Sequence, residues 1–149
     1  MSDGPYGVRS NTEFPSTTYA VGIGLAASWD RELAERAGAG IGTDVRARGI
    51  HFMLGPGVNI YRSPRNGRNF EYFGKDPFLS AEIAVGYIDG IQKQGVSATV
   101  KHFLGNNSEF LRHDSDSIID KRSLREIYLP PLKRLSNLRT LARSWTLTT

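Results

Sequence analysis

The residues best able to do chemistry in this chain gather in two short stretches. Arg62, Arg65 and Arg68 follow one apolar run, while Lys101, His102, Asn106, Asn107 and Arg112 close and follow another. Cations and amides of this kind donate hydrogen bonds, singly or in pairs, and suit a ligand rich in hydroxyl oxygens. Lys101 and His102 are the most informative pair. Neighbouring side chains on a strand point to opposite faces, so both reach one site only at the strand's C-terminal end. Other chemistries fit less well. His51, His102 and His113 share no metal-ligand spacing, and Asp114 and Asp116 beside them read as a solvated loop. There is no Cys, hence no thiolate or disulfide chemistry. Gly22-Ile23-Gly24-Leu25-Ala26-Ala27, with Asp44 downstream, matches a dinucleotide-binding pattern. However, Ser28-Trp29-Asp30 opens the next helix too late for its N-terminus to meet a pyrophosphate, and close packing is the expected use of those glycines. Asn106-Asn107-Ser108 is a glycosylation sequon, and Phe70, Tyr72, Phe73 and Phe78 form an aromatic cluster of the core type.

These residues need elements to position them. Asp30 caps a predicted helix with Leu33, Ala37, Ile41 and Val45 on one face, and Glu32/Arg36 and Asp44/Arg48 as surface pairs. Gly38, Gly40 and Gly42 weaken it. Asp76-Pro77 opens a second helix carrying Ala84, Tyr87, Ile88 and Ile91, which Gly95 stops. A third begins near Asp120, uses Leu124, Ile127 and Tyr128, and is expected to end at Pro130-Pro131. Ile50 to Leu54 reads as a buried strand ended by Gly55-Pro56-Gly57, and Val96 to Phe103 as another. Strands alternating with helices predict an α/β fold with a parallel sheet or barrel, whose working residues lie beyond the C-terminal strand ends. The polar residues fall there. A closed (β/α)8 barrel takes ~250 residues, so these 149 supply about three β/α units.

Composition narrows the classes. At 39% hydrophobic and 23% charged the chain is ordinary for a globular protein, and no apolar run is long enough to span a membrane. The net charge of +4 sits entirely in the last residues, where Lys133, Arg134, Arg139 and Arg143 have no acidic neighbour from 133 to 149. Residues 1–132 are balanced at 15 basic and 15 acidic, with no phosphate-binding stripe, so neither nucleic acid nor a membrane is an expected partner.

Ordered motifs carry a resemblance. Asp3-Gly4-Pro5-Tyr6-Gly7-Val8-Arg9, Leu54-Gly55-Pro56-Gly57-Val58-Asn59-Ile60, Gly67-Arg68-Asn69-Phe70-Glu71, Asp76-Pro77, Lys101-His102-Phe103 and Leu124-Arg125-Glu126-Ile127-Tyr128-Leu129-Pro130-Pro131 resemble the N-terminal catalytic barrel of glycoside hydrolase family 3, the β-glucosidase type. The resemblance implies a partial (β/α)8 barrel over residues 1–132, truncated at both ends, from a retaining hydrolase of β-linked glucosides that needs no cofactor. It implies that Asp3, Arg9, Arg68, Lys101, His102 and Arg112 line the subsite for the terminal sugar. It gives no catalytic role to Glu71 or Glu109. The family's nucleophilic Asp, in a Ser-Asp-Trp-like motif, and its acid/base Glu are expected outside this chain, so the fragment alone is expected to be inactive. Tyr6 stands where many relatives have His, and Gly74-Lys75 replaces a more usual Ser-Glu. A carbohydrate-binding remnant without catalysis is the alternative, and a small dinucleotide-binding domain a more distant one.

Two further expectations concern the ends. In the resembling family Met-Ser-Asp-Gly-Pro closes an early strand, so Met1 is expected to be internal, and the absence of a secretion signal says nothing of location. If the reading frame slips by one base at Lys133, residues 133–149 can be re-read as Ala-Ala-Val-Lys-Ser-Ala-Asn-Val-Gly-Ala-Val-Met-Asp-Ser-Tyr-Asn, which resembles what the family carries there. Trp145-Thr146 forces the Asp of that string, because the Trp codon ends in G and Thr codons begin AC. The tail is therefore expected to be a frameshift product or disordered.

Overall fold

A computed structural model describes residues 1–4, 7–9, 15–137 and 147–148. Tyr6, and Arg139, Arg143, Trp145 and Thr146 of the tail, lie outside the described residues. The element order is β1 (Ser2–Asp3), α1 (Gly22–Ala26), α2 (Arg31–Ala47), β2 (Phe52–Gly57), α3 (Pro77–Lys93), β3 (Ser97–Lys101), α4 (Lys121–Ser123), α5 (Leu129–Ser136) and β4 (Leu147–Thr148). The strands form one parallel sheet in the order β1-β2-β3-β4, an α/β architecture as expected. Two-residue β1 and β4 flank the two longer strands, so the sheet holds two strands beyond those that the helix and strand pattern predicted.

The two long helices begin where their caps require. Asp30 accepts a hydrogen bond from the Leu33 N–H at 2.9 Å, and Asp76 from the Leu79 N–H at 2.6 Å with Pro77 opening the first turn. The buried face of α2 differs from the expected stripe. Leu33 is exposed, whereas Ala34, Gly38, Ile41, Gly42 and Val45 are buried. The glycines that weaken an isolated helix here let α2 and α3 approach closely. A Cβ on Gly38 would run into the Tyr87 carbonyl, and one on Gly90 into the Glu35 carbonyl. Ile83, Ala84, Val85, Ile88 and Ile91 of α3 join Ala98 and Val100 of β3 in one core, reached from the C-terminal side by Leu132 and Leu135. Asp44 pairs with Arg48 at 3.8 Å, as anticipated, but the Arg48 side chain is nearly buried and not on the surface as expected.

Three expectations are corrected. Strand β2 does not stop at Gly55-Pro56-Gly57 but runs through it, because Leu54 and Gly55 both face Thr99. Such a bulge admits the proline that a regular ladder would reject. The helix after Asp120 does not end at Pro130-Pro131 either. A π-helical turn, Leu124–Tyr128, precedes α5, so the prolines occupy its opening turn, where no N–H is required. The aromatic cluster divides: Tyr72 and Phe73 are buried, while Phe78, on the first turn of α3, is exposed.

Candidate functional site

The pleat of β3 sends Ala98 and Val100 to the helical core and Thr99 and Lys101 to the opposite face. Lys101 is the last residue of the strand, and there its Nζ lies 2.9 Å from Asp3 Oδ1 and 2.8 Å from Glu71 Oε2. Asp3 ends β1, and Glu71 sits in a short 3₁₀ turn, Asn69–Glu71, that follows β2. The other oxygen of Glu71 accepts from Arg68 Nε at 2.6 Å. Three neighbouring strands thus deliver one charged cluster at their C-terminal ends. Both Lys101 and Glu71 are nearly inaccessible, with side-chain exposures of 5% and 4%. Charges so deeply placed persist because each is paired and hydrogen-bonded. Asp3 is different. Its carboxylate is 29% exposed, and its Oδ1 takes both Lys101 and the Gly4 N–H.

A second, mostly uncharged chain of contacts adjoins the first. His102 Nδ1 lies 2.9 Å from the Tyr72 hydroxyl, which accepts from Asn106 Nδ2 at 2.8 Å. The same Nδ2 donates to Glu109 Oε1 at 2.9 Å, and Glu109 Oε2 accepts from Arg112 Nη1 at 3.0 Å. Glu109 also approaches Arg68 Nε at 4.0 Å, which links the two networks. The loop bearing Asn106 is clamped from below. Asn59 and Asn66 both donate to the Asn106 carbonyl, at 2.9 and 2.8 Å, and Asn59 Oδ1 accepts from the Gly105 N–H. Burial, reinforced by Arg68, Lys101 and Arg112, pushes His102 down from 6.5 to about 3, so its ring is neutral in neutral solution. Burial pushes the Tyr72 phenol up, which keeps its proton in place.

Arg68, His102, Asn106, Arg112 and Asp116 line a cleft of about 620 Å³, within the range of small-molecule sites, ~300–1,000 Å³. Of the six sequence-predicted residues, Asp3, Arg68, Lys101 and His102 come together, and Arg112 joins through Glu109. Arg9 does not enter the ion-pair cluster. Its side chain is exposed, and its backbone is tied to β1 by its N–H to the Asp3 carbonyl and by Ser2 Oγ to its own carbonyl. Sequence reasoning gave Glu71 no catalytic role and read Tyr72 as a core aromatic, and it assigned nothing to the side chains of Asn59 and Asn66. The one available signal was their place in or beside the quoted motifs, among charged residues. The sequon amide of Asn106 already serves Tyr72 and Glu109, and Gly22 packs against the Glu71 carbonyl as a close-approach glycine.

A parallel α/β sheet with charged donors and acceptors gathered at its strand ends has counterparts among known proteins. The chain belongs to glycosyl hydrolase family 3: the pattern of that family's N terminal domain matches residues 3–138. It is 47% identical over 155 aligned positions to thermostable beta-glucosidase B of Acetivibrio thermocellus, covering 97% of this chain and 20% of that protein. It is 48% identical to a beta-glucosidase of Rhizobium radiobacter, covering 89% of this chain and 17% of the relative. Among solved structures, beta-glucosidase 3B from Thermotoga neapolitana in complex with alpha-D-glucose superposes with a TM-score of 0.84 at 44% identity, over 89% of this chain and 20% of the other. The chain thus spans about a fifth of the length of the curated relatives it matches.

Proposed function

We propose that this chain is the sugar-gripping part of a (β/α)8 barrel from a retaining β-glucosidase, and that it supplies neither the nucleophile nor the acid/base of that reaction. The observation that carries this reading is the convergence of Asp3, Arg68, Lys101 and His102 at the ends of adjacent parallel strands. Roles follow from exposure. Glu71, with one oxygen on Arg68 and the other on Lys101, is a scaffold that fixes two cations. Asp3, half-buried and held through Oδ1, keeps Oδ2 for sugar hydroxyls. Lys101, His102, Arg68 and Arg112 donate to the remaining sugar oxygens, and Arg9, exposed and outside the ion-pair cluster, has only its family position to connect it with the same subsite. Such a grip orients the anomeric carbon toward carboxyl groups brought by other parts of the protein.

Residues 133–149 belong to the same proposal as a frameshifted continuation. Their acid-free composition and the one-base re-reading support it. Sequencing the source DNA through the Lys133 codon and its flanks tests both statements, followed by assay of whatever protein the corrected frame encodes. The expected result is a frame that continues into a Ser-Asp-Trp-like motif and a protein that hydrolyses p-nitrophenyl β-glucoside with retention. The 149-residue chain itself should show no turnover above a mock preparation. Turnover by the chain alone, or a corrected protein inert toward β-glucosides, would overturn the assignment. Binding of glucose without turnover by the corrected protein would favour a carbohydrate-binding remnant.

A further inference from the structure

We propose that Glu109, Asn106 and Tyr72 form a directed hydrogen-bond relay that holds His102 in its Nε2–H tautomer, so that the ring presents one fixed N–H donor to the cleft. The direction of each bond follows from what its neighbours can do. A carboxylate only accepts, and Glu109, braced by Arg112 at 3.0 Å and Arg68 at 4.0 Å, faces Asn106 across 2.9 Å. The Asn106 group turned toward it must therefore be the amide nitrogen, since a flipped amide would set oxygen against oxygen. That nitrogen carries two protons and accepts none. It lies 2.8 Å from the Tyr72 hydroxyl, which must accept there and send its own proton elsewhere. The remaining partner is His102 Nδ1 at 2.9 Å. An Nδ1 that accepts is unprotonated, which leaves the ring proton on Nε2.

The backbone supports the relay as well. The Asn106 carbonyl is gripped by the Asn59 and Asn66 amides, so the side chain starts from a fixed point. Arg68, Lys101 and Arg112 oppose a second ring proton, while Asp3 favours it. The consequence is a polarity rule for the cleft. Where a ligand oxygen in the cleft meets the His102 Nε2–H it must accept. Glu109, Asn106 and Tyr72 act through His102 and are positioning residues. The purpose of the relay rests on the proposed sugar site, but its test does not.

The test is histidine side-chain nitrogen NMR on the ¹⁵N-labelled chain without sugar, with the His102 signals assigned by their loss in His102→Asn. The expected wild-type spectrum shows a single Nε2–H tautomer that persists until the pH approaches about 3. Tyr72→Phe keeps the ring and removes the hydroxyl; its His102 should become a tautomer mixture whose midpoint rises by roughly one pH unit or more. Glu109→Gln, at a partly exposed position, guards against a folding failure. Its amide can present N–H to Asn106, let that side chain flip and give a mixture too. A mixed or Nδ1–H wild type, or an unchanged single tautomer in both variants, overturns the relay. A corrected-frame protein inert toward β-glucosides and without affinity for glucose, beside a chain that shows the tautomer response, would sink the sugar reading alone.

Discussion

The α2/α3 pair and the strand-end cluster are held together by opposite means. Between the helices Gly38 and Gly90 remove side chains altogether, and the backbones touch through carbonyls that are already hydrogen-bonded. At the strand ends Lys101, Glu71, Asp3 and Arg68 bring charge into a buried place and compensate it pair by pair. The close approach itself depends on shape, and dispersion and apolar burial stabilise it, while the exposed pairs Arg31–Glu82, Arg31–Asp89 and Lys93–Glu35 at its edge add little. The second depends on every partner being present. A region built the second way is weak evidence of stability but strong evidence of function, because apolar residues would fill the same space at less cost.

The sharpest way to break the comparison is to remove the shared cation. Lys101→Met leaves the buried Glu71 carboxylate with Arg68 alone and frees Asp3; the expected loss is ~3–5 kcal/mol, the range for stranding a buried charge. Denaturant titration reads it, and adding Glu71→Leu should return most of the loss. If the single variant were as stable as wild type, the cluster would not be under electrostatic load. Gly90→Ala tests the other region. Its Cβ collides with the Glu35 carbonyl, a backbone atom that cannot swing aside, and overpacking of this kind costs ~1–3 kcal/mol. Neither loss should respond strongly to salt, since buried pairs are screened little; rescue by Glu71→Leu, which is expected for Lys101→Met and not for Gly90→Ala, is what separates the two regions.

Acid separates the regions with a smaller effect. The folded chain holds His102 down at about 3 against an ordinary 6.5, so the unfolded chain takes up the proton first. The stability that the neutral ring contributes is therefore complete above about 6.5 and is lost as the pH falls toward 3. Melting temperatures of wild type and His102→Asn, measured across that window, should converge on acidification. The Gly90→Ala difference should stay constant. Parallel curves for wild type and His102→Asn would mean that the ring titrates at its ordinary value.

How far each region could be read in advance follows the same division. Helix limits were legible because caps are local: Asp30, Asp76-Pro77 and Gly95 act within a turn of themselves. The contact face of α2 was not, since a glycine on a helix becomes an asset only when another backbone lies against it. Pro130-Pro131 misled for a related reason, because the π-helical turn that accommodates them leaves no mark in composition. In the site, the charged residues could be placed through ordered family motifs. The role of Tyr72 could not be, because the direction of its hydrogen bonds is decided by partners 30 and 34 positions away.

The smallest expected effect bears on the tail. Arg134 and Leu135 are neighbours in α5, one paired with Glu82 at 2.7 Å on the surface, the other fully buried in the core. Arg134 is 43% exposed, and an ion pair of that kind contributes ~0.2–1 kcal/mol, so Arg134→Ala should barely move the denaturation midpoint. Leu135→Ala, by contrast, should cost ~2–5 kcal/mol as a cavity in a packed core. The contrast has a consequence for the proposed frame change at Lys133. A residue that arose by chance after a slip can still be recruited by an apolar groove, because burial asks for volume and hydrophobicity rather than ancestry. A surface charge has no such route to a structural role. Equal, negligible effects at both positions would place the folded unit's end before Leu135, and a large effect at Arg134 would mean that the basic tail is built into the fold.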